Sequence, residues 1–157
     1  MCEPISCILH GYKRIESNIR PNKKVLIVGA GIIGNLWASL LHYKGVRSII
    51  VSEFSEARRR ITDKLGMSLS SVYRMIIIFI KNECSSTIYC DSDTVTFSGL
   101  GFTVISPSLL EKMDEETFDV VIDCTGSPAA LQQSIGKTKY GATILVFGCA
   151  PIGKSMK

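Results

Sequence analysis

Ten residues, VLIVGAGIIG at Val25 to Gly34, restrict the possible folds more than any other part of the chain. Val25, Leu26, Ile27 and Val28 form an unbroken apolar run, the pattern of a parallel strand covered on both faces. Gly29, Gly31 and Gly34 follow in G-x-G-x-x-G spacing. In that pattern the first glycine permits a tight turn and the second lets a diphosphate approach the backbone. The third lets the next helix pack closely on the strand. The helix start offers unpaired N–H groups and a partial positive charge to an anion. Asn35 to Tyr43 carries Leu36, Trp37, Leu40 and Leu41 at helical spacing, and Gly45 stops that helix. Arg47 to Ser52 reads as a second strand, with Glu53 just past it. Glu53 stands about 20 positions after the glycines, where a carboxylate would meet ribose hydroxyls. Strand, glycines, helix, strand and acid in this order predict a dinucleotide site. A βαβ unit whose glycines serve packing alone has the same local pattern.

Bulk properties are compatible with one such domain. The 157 residues can bury a sizeable core, and 46% apolar with 20% charged residues is ordinary for a globular chain with a buried sheet. The net charge of +4 is modest and its basic residues are scattered apart from Arg58, Arg59 and Arg60, so no nucleic-acid partner is expected. The start, MCEPISC, lacks a basic segment followed by a long apolar core, so no signal peptide is read. No apolar run reaches the roughly 18 residues of a membrane span, and no membrane partner is expected. Six cysteines show no C-x-x-C pair or regular framework and read as reduced thiols of a cytoplasmic protein. His10 and His42 sit in no metal-ligand pattern.

Along the chain, Met1 to Tyr12 has helical apolar spacing, and Ile15 to Lys24 reads as a polar connector. Ser55 is a plausible N-cap for a helix from Glu56 to Leu65, closed by Gly66. From Phe102 the alternation resumes. Strands are expected at Phe102 to Ile105, Phe118 to Cys124 and Ala142 to Phe147, the last after a turn at Gly141. Helical segments are expected at Ser108 to Met113 and at Pro128 to Lys137, the second capped by Ser127. Alternating strands and helices imply an α/β fold, a Rossmann-type doubly wound parallel sheet. Between them, Ser68 to Gly99 carries the very apolar run Met75 to Ile80 with neither helical nor alternating spacing. An ordered form of it would be a helix or hairpin on the domain edge.

Five pieces together resemble the coenzyme-binding half of the zinc-type medium-chain dehydrogenase/reductase family, with its sorbitol, butanediol and threonine dehydrogenases. They are EPISCILHG, VLIVGAGIIG, IIVSEFSEARR, FDVVIDCTGSPAAL and GATILVFG, in family order. The resemblance implies that Gly29, Gly31, Ile32, Ile33 and Gly34 line the pyrophosphate and that Glu53 accepts from the adenosine ribose. A carboxylate there repels a 2′-phosphate, so NAD is expected over NADP. Arg58 matches a position often basic near the adenosine, which leaves room for NADP. Thr125, Gly126 and Gly148 would border the second ribose and nicotinamide; ordinary turn chemistry accounts equally well for Thr125 and Gly148.

Departures from the family are as informative. Its catalytic zinc ligands and its four-cysteine structural zinc site have no counterpart here, so zinc is expected only in the full-length family. Glu3 matches a glutamate beside the zinc, but by itself it reads as an acid favoured at a helix N-terminus. The chain reads as truncated at both ends, with residues 1–24 a remnant of the catalytic domain and connector. Residues 25–157 form the NAD(P)-binding domain, with an irregular insertion at 67–99. The family homo-oligomerises, and its dimer edge is expected to be missing. Joining Gly66 to Leu100 restores a family-like passage, DKLGLGFTVISP, so we read the insertion as a translated intron; transcripts that all carry the segment would overturn this. The expected function is NAD binding within an alcohol or polyol dehydrogenase, as a fragment inactive alone. The alternatives are a non-catalytic nucleotide-binding module and a misfolded fragment.

Overall fold

The computed structural model describes residues 2–60, 62, 89–91, 94–96 and 102–149. The elements are α1 (Cys2–Ile15) with a following 3-10 turn (Glu16–Asn18), β1 (Lys24–Val28), α2 (Ile32–Tyr43) and β2 (Ser48–Ser52). A helical turn α3 covers residues 56–60. Then come β3 (Tyr89–Asp91), β4 (Thr94–Thr96), β5 (Phe102–Ile105), α4 (Pro107–Glu111), β6 (Phe118–Asp123), α5 (Pro128–Ile135) and β7 (Thr138–Val146).

The sheet order is β3-β4-β5-β2-β1-β6-β7. Strands β5, β2, β1, β6 and β7 are all parallel. Numbered along the chain, these five have the order 3-2-1-4-5 of a doubly wound dinucleotide-binding sheet. Strand β1 sits at its centre because every side chain from Val25 to Val28 has a dry partner on one face or the other. Val25 and Ile27 join α1 and α2 in one core with Trp37, Leu41, Ile49, Val51 and Ile122. Leu26 and Val28 point the opposite way, into a second core with Leu110, Phe118 and Val121. Alternation of side chains along a strand turns one continuous apolar run into two cores.

Helix α1 belongs to the first core. Ile8, Tyr12 and Ile15, at helical spacing, are buried there together with Ile19 beyond it. Gly11 makes the close approach possible, since a Cβ would lie 2.9 Å from the Trp37 ring and 3.0 Å from that of Phe147.

Several boundaries differ from the sequence reading: helix α1 runs to Ile15 rather than Tyr12, and Ile15 and Ile19 of the expected polar connector are buried. Helix α2 starts at Ile32 rather than Asn35, because Gly31 already serves as its N-cap and Asn35 N–H donates to Gly31 O. Strand β7 starts at Thr138 rather than Ala142. Thr138 pairs with Phe118, and the register then shifts so that Thr143 meets Val120. Gly141, with φ of 73°, lies inside the strand at this irregularity and is not a turn before it. Helix α4 ends at Glu111, with Ser106 as its cap and Pro107 in its first turn. The helix expected to Leu65 and Gly66 is described at residues 56–60 and 62, and its close lies outside the described residues. Most of the expected insertion 67–99, including Met75 to Ile80, also lies outside them. Within it, β3 and β4 form an antiparallel hairpin that adds to the edge of β5.

Candidate functional site

Register brings the expected site together. Val28 lies level with Ser52 on one side and with Asp123 on the other, and Asp123 is level with Val146. Gly29, Glu53, Thr125 and Gly148 therefore all follow within two residues of the same level of the sheet, at the carboxyl ends of β1, β2, β6 and β7. Chain order reverses between β1 and β6, so their ends diverge into a crevice. Such switch points are where open α/β sheets bind ligands.

The three glycines of the turn have three different surroundings. Gly29 has φ of 101°, a left-handed conformation, and a Cβ there would meet Thr125 Cγ2 at 2.8 Å. A Cβ on Gly34 would come within 1.8 Å of Gly29 O, so the third glycine is demanded by helix-on-turn packing. Gly31 differs: an added Cβ would meet nothing within 4 Å, and its φ of −74° suits any residue. Among the described residues no atom crowds that position. Its open side lies at the start of α2, which has no side-chain cap. The first N–H groups of a helix have no partner within it, so Ile32, Ile33 and Gly34 present a ready cradle for an anion. Ile32 has its side chain largely in solvent at 73% exposure.

Glu53 is buried, at 6% exposure, and its carboxylate bridges two backbone segments. Ala30 N–H donates to Oε2 and Ser55 N–H donates to Oε1, both at 2.8 Å. The acid thus fixes the glycine-rich turn to the end of β2, while each oxygen keeps a second acceptor position. Ser55 caps α3 through Arg58 N–H, as expected from its position. The three arginines separate in role. Arg59 donates to the carbonyls of Glu53 and Phe54, each at 2.8 Å. Arg60 pairs with Glu56 on the exposed face of α3. Arg58 is exposed beside them.

On the other side of the crevice, Asp123 is the organising residue that motif reading missed. It is buried, and its Oδ1 accepts from Thr125 N–H at 2.9 Å and from Thr125 Oγ1 at 2.6 Å. Its carbonyl accepts from the N–H groups of Phe147 and Gly148 at 2.8 Å. The signal was present as an acid closing an otherwise apolar strand, FDVVIDC. Gly126 has φ of 65°, and a Cβ on Gly148 would come 2.2 Å from Gly126 N. Thr125, Gly126 and Gly148 therefore form one tightly packed wall. Burial, with the Asp123 carboxylate second, pushes the neighbouring Cys124 thiol up to about 12, so it stays protonated.

Among the described residues no three His, Cys, Asp or Glu side chains form a group that could hold a metal. Glu3 is exposed in the first turn of α1. No helix of the described residues is long and apolar enough to cross a membrane.

No family model matches the chain. Among curated relatives, a sorbitol dehydrogenase of Gallus gallus is 26% identical over 151 residues, covering 96% of this chain and 35% of its own length. An L-threonine 3-dehydrogenase of Aeromonas hydrophila is 28% identical over 127 residues, covering 81% of this chain and 29% of its own. The chain thus spans about a third of the length of the curated relatives it matches. In fold, it is similar to L-idonate 5-dehydrogenase of Escherichia coli, with a TM-score of 0.65 at 15% identity, covering 99% of this chain and 36% of that one. A Sinorhizobium meliloti chain described as a zinc-binding dehydrogenase bound to NADP gives a TM-score of 0.66 at 23% identity, covering 98% and 37%. In sequence and in fold, this chain resembles the zinc-type medium-chain dehydrogenase/reductase family, over the part that forms its Rossmann-type coenzyme-binding domain.

Proposed function

We propose that the chain binds NAD across the carboxyl ends of β1, β2, β6 and β7, as the cofactor-binding domain of a zinc-dependent alcohol or polyol dehydrogenase. The observation that carries this reading is Gly31, which is glycine where the fold itself requires none. A diphosphate needs that open approach to the backbone. Gly29, Gly31, Ile32, Ile33 and Gly34 would hold the pyrophosphate. Glu53 and Arg58 would face the adenosine side, and Thr125, Gly126 and Gly148 the nicotinamide side. The nicotinamide, when bound, supplies hydride acceptance; this chain's residues bind and orient it.

NAD is favoured over NADP by Glu53. Both its oxygens are held by backbone N–H groups, so the carboxylate cannot swing away from an incoming 2′-phosphate. Exposed Arg58 supports the second reading, NADP, as does the NADP bound in the Sinorhizobium meliloti neighbour. In this reading residues 25–157 are the cofactor domain, with 67–99 inserted, and 1–24 lead in from a catalytic domain. Alcohol oxidation and zinc would reside in that other domain, so sorbitol turnover by this chain with added zinc and NAD is expected to be absent.

Calorimetric titration tests the site. NADH is expected to bind more tightly than NADPH. Gly31→Val is expected to weaken NADH binding at least about tenfold, while the poorer N-cap costs only about 1 kcal/mol of stability. A flat titration by a chain that melts cooperatively would mean that the glycines serve packing only.

A further inference from the structure

Two aromatic rings join α2 to the end of β7. Trp37 and Phe147 have ring centroids 5.6 Å apart and planes at 85°, an edge-on pair. Trp37 is fully buried, and its Nε1 has no hydrogen-bond partner among the described residues, so packing rather than a polar contact among them sets the angle of its ring. Gly11 of α1 touches both rings: a Cβ there would lie 2.9 Å from Trp37 Cζ2 and 3.0 Å from Phe147 Cε2. Gly148 follows Phe147 directly. Both residues donate their N–H to the Asp123 carbonyl at 2.8 Å, and the chain bends at Gly148. Gly148 is closely confined, since a Cβ on it would come 2.2 Å from Gly126 N and 2.9 Å from Thr125 C. A shift of Phe147 therefore carries Gly148 against or away from the backbone of Thr125 and Gly126.

We infer that Phe147 is a positioning residue for the nicotinamide half of a bound dinucleotide, with Trp37 and Gly11 as the seat of its ring. This role rests on the proposed dinucleotide site and adds a residue to it. The Phe147 ring packs on the core around Trp37, so it acts on a ligand through the backbone of its neighbour. A ring that fills its seat leaves the strand end one position, whereas a smaller side chain leaves a gap into which the strand end can move. A loosened wall must be ordered when the ligand arrives, and that lost freedom is subtracted from binding. The cost falls on ligand groups that lie against Thr125, Gly126 and Gly148. The pyrophosphate turn is held by other contacts: Gly34 packs on Gly29, and Glu53 accepts from Ala30 N–H. A ligand with adenosine and pyrophosphate but no nicotinamide therefore escapes that cost. Gly11 lies on α1, outside the residues assigned to the crevice, so a side chain added there acts on the ligand through these two rings.

Calorimetric titration with two probes, NADH and ADP-ribose, tests this, because ADP-ribose lacks the nicotinamide. Phe147→Leu is expected to weaken NADH binding about fivefold or more and to change ADP-ribose binding less than about twofold. Gly11→Ala presses on the same two rings from α1 and is expected to shift the ratio of the two affinities in the same direction. It decides the matter if Phe147→Leu does not fold. Ile144→Ala serves as the control, since Ile144 is level with Val121 and on the face of β7 opposite Phe147. It is expected to leave the ratio unchanged even where the melting temperature falls. Equal weakening of both probes by Phe147→Leu, no change in either, or the same ratio shift in Ile144→Ala would each overturn the inference while the dinucleotide site stands. A parent chain that melts cooperatively and binds neither probe would overturn both.

Discussion

A Cβ has opposite consequences at two glycines three positions apart. Gly34→Ala forces a carbon into Gly29 O and is expected to cost about 3 kcal/mol, read as a fall in the urea midpoint. Gly31→Ala meets only open space and is expected to cost no more than about 1 kcal/mol, the loss of a better N-cap. Cys124 supplies a chemical readout at the same scale. With its pKa pushed up to about 12, it should resist iodoacetamide at pH 8 while Cys7 and Cys149 are labelled, and should react only on unfolding. Labelling of Cys124 at the rate of the exposed thiols would contradict the raised pKa of this half-buried thiol. The G-x-G-x-x-G spacing was legible from the residues, but the division of labour among its glycines was not. That depends on which atoms lie across the turn, and Thr125, which limits Gly29, is distant in sequence.

At the level of elements, Asp119 links three strands at the amino-terminal end of the sheet. Its carboxylate accepts from Lys24 N–H, Lys23 Nζ and Lys139 Nζ, tying β6 to β1 and β7. Burial alone would push its pKa up. The Lys24 N–H and the ammonium groups of Lys139 and Lys23 outweigh this and hold it at about 2, below the ordinary 3.8. Because the folded value is depressed, the stabilisation is fully present above pH 4 and is lost as the pH falls toward 2. With half-exposed lysines as partners, the effect is about 1–2 kcal/mol. Acid titration of stability should show it, and Asp119→Asn should remove that part of the pH dependence. Helix α1 makes a second case. Ile15→Ala opens the core under Trp37 and is expected to cost about 2–4 kcal/mol, followed by tryptophan fluorescence during unfolding. Apolar spacing revealed that α1 exists. Its docking against Trp37 and Phe147 was not legible, because it rests on Gly11 having no side chain. The early start of β7 was equally hidden: its pairing with Phe118 comes through a register shift that local residue preferences do not encode.

Across the whole molecule, β2 pairs directly with β5, with Ile49 level with Phe102 and Ser52 with Ile105. The passage between these strands can therefore change without altering the five-strand order. Excising Met67 to Gly99 is expected to preserve cooperative melting and NADH binding, checked by circular dichroism and calorimetry. Loss of cooperative folding in that variant would make the segment part of the fold. By itself the sequence determined that strands and helices alternate, that β1 is covered on both sides, and that a glycine-rich turn precedes a helix. Those properties follow from local spacing and backbone sterics. Only the tertiary structure decided that Glu53 holds the glycine turn through Ala30, that Asp123 organises the opposite wall, and that Gly31 faces open space. Each of these is a relation between residues from different strands or turns, set by sheet register and by what packing leaves unfilled.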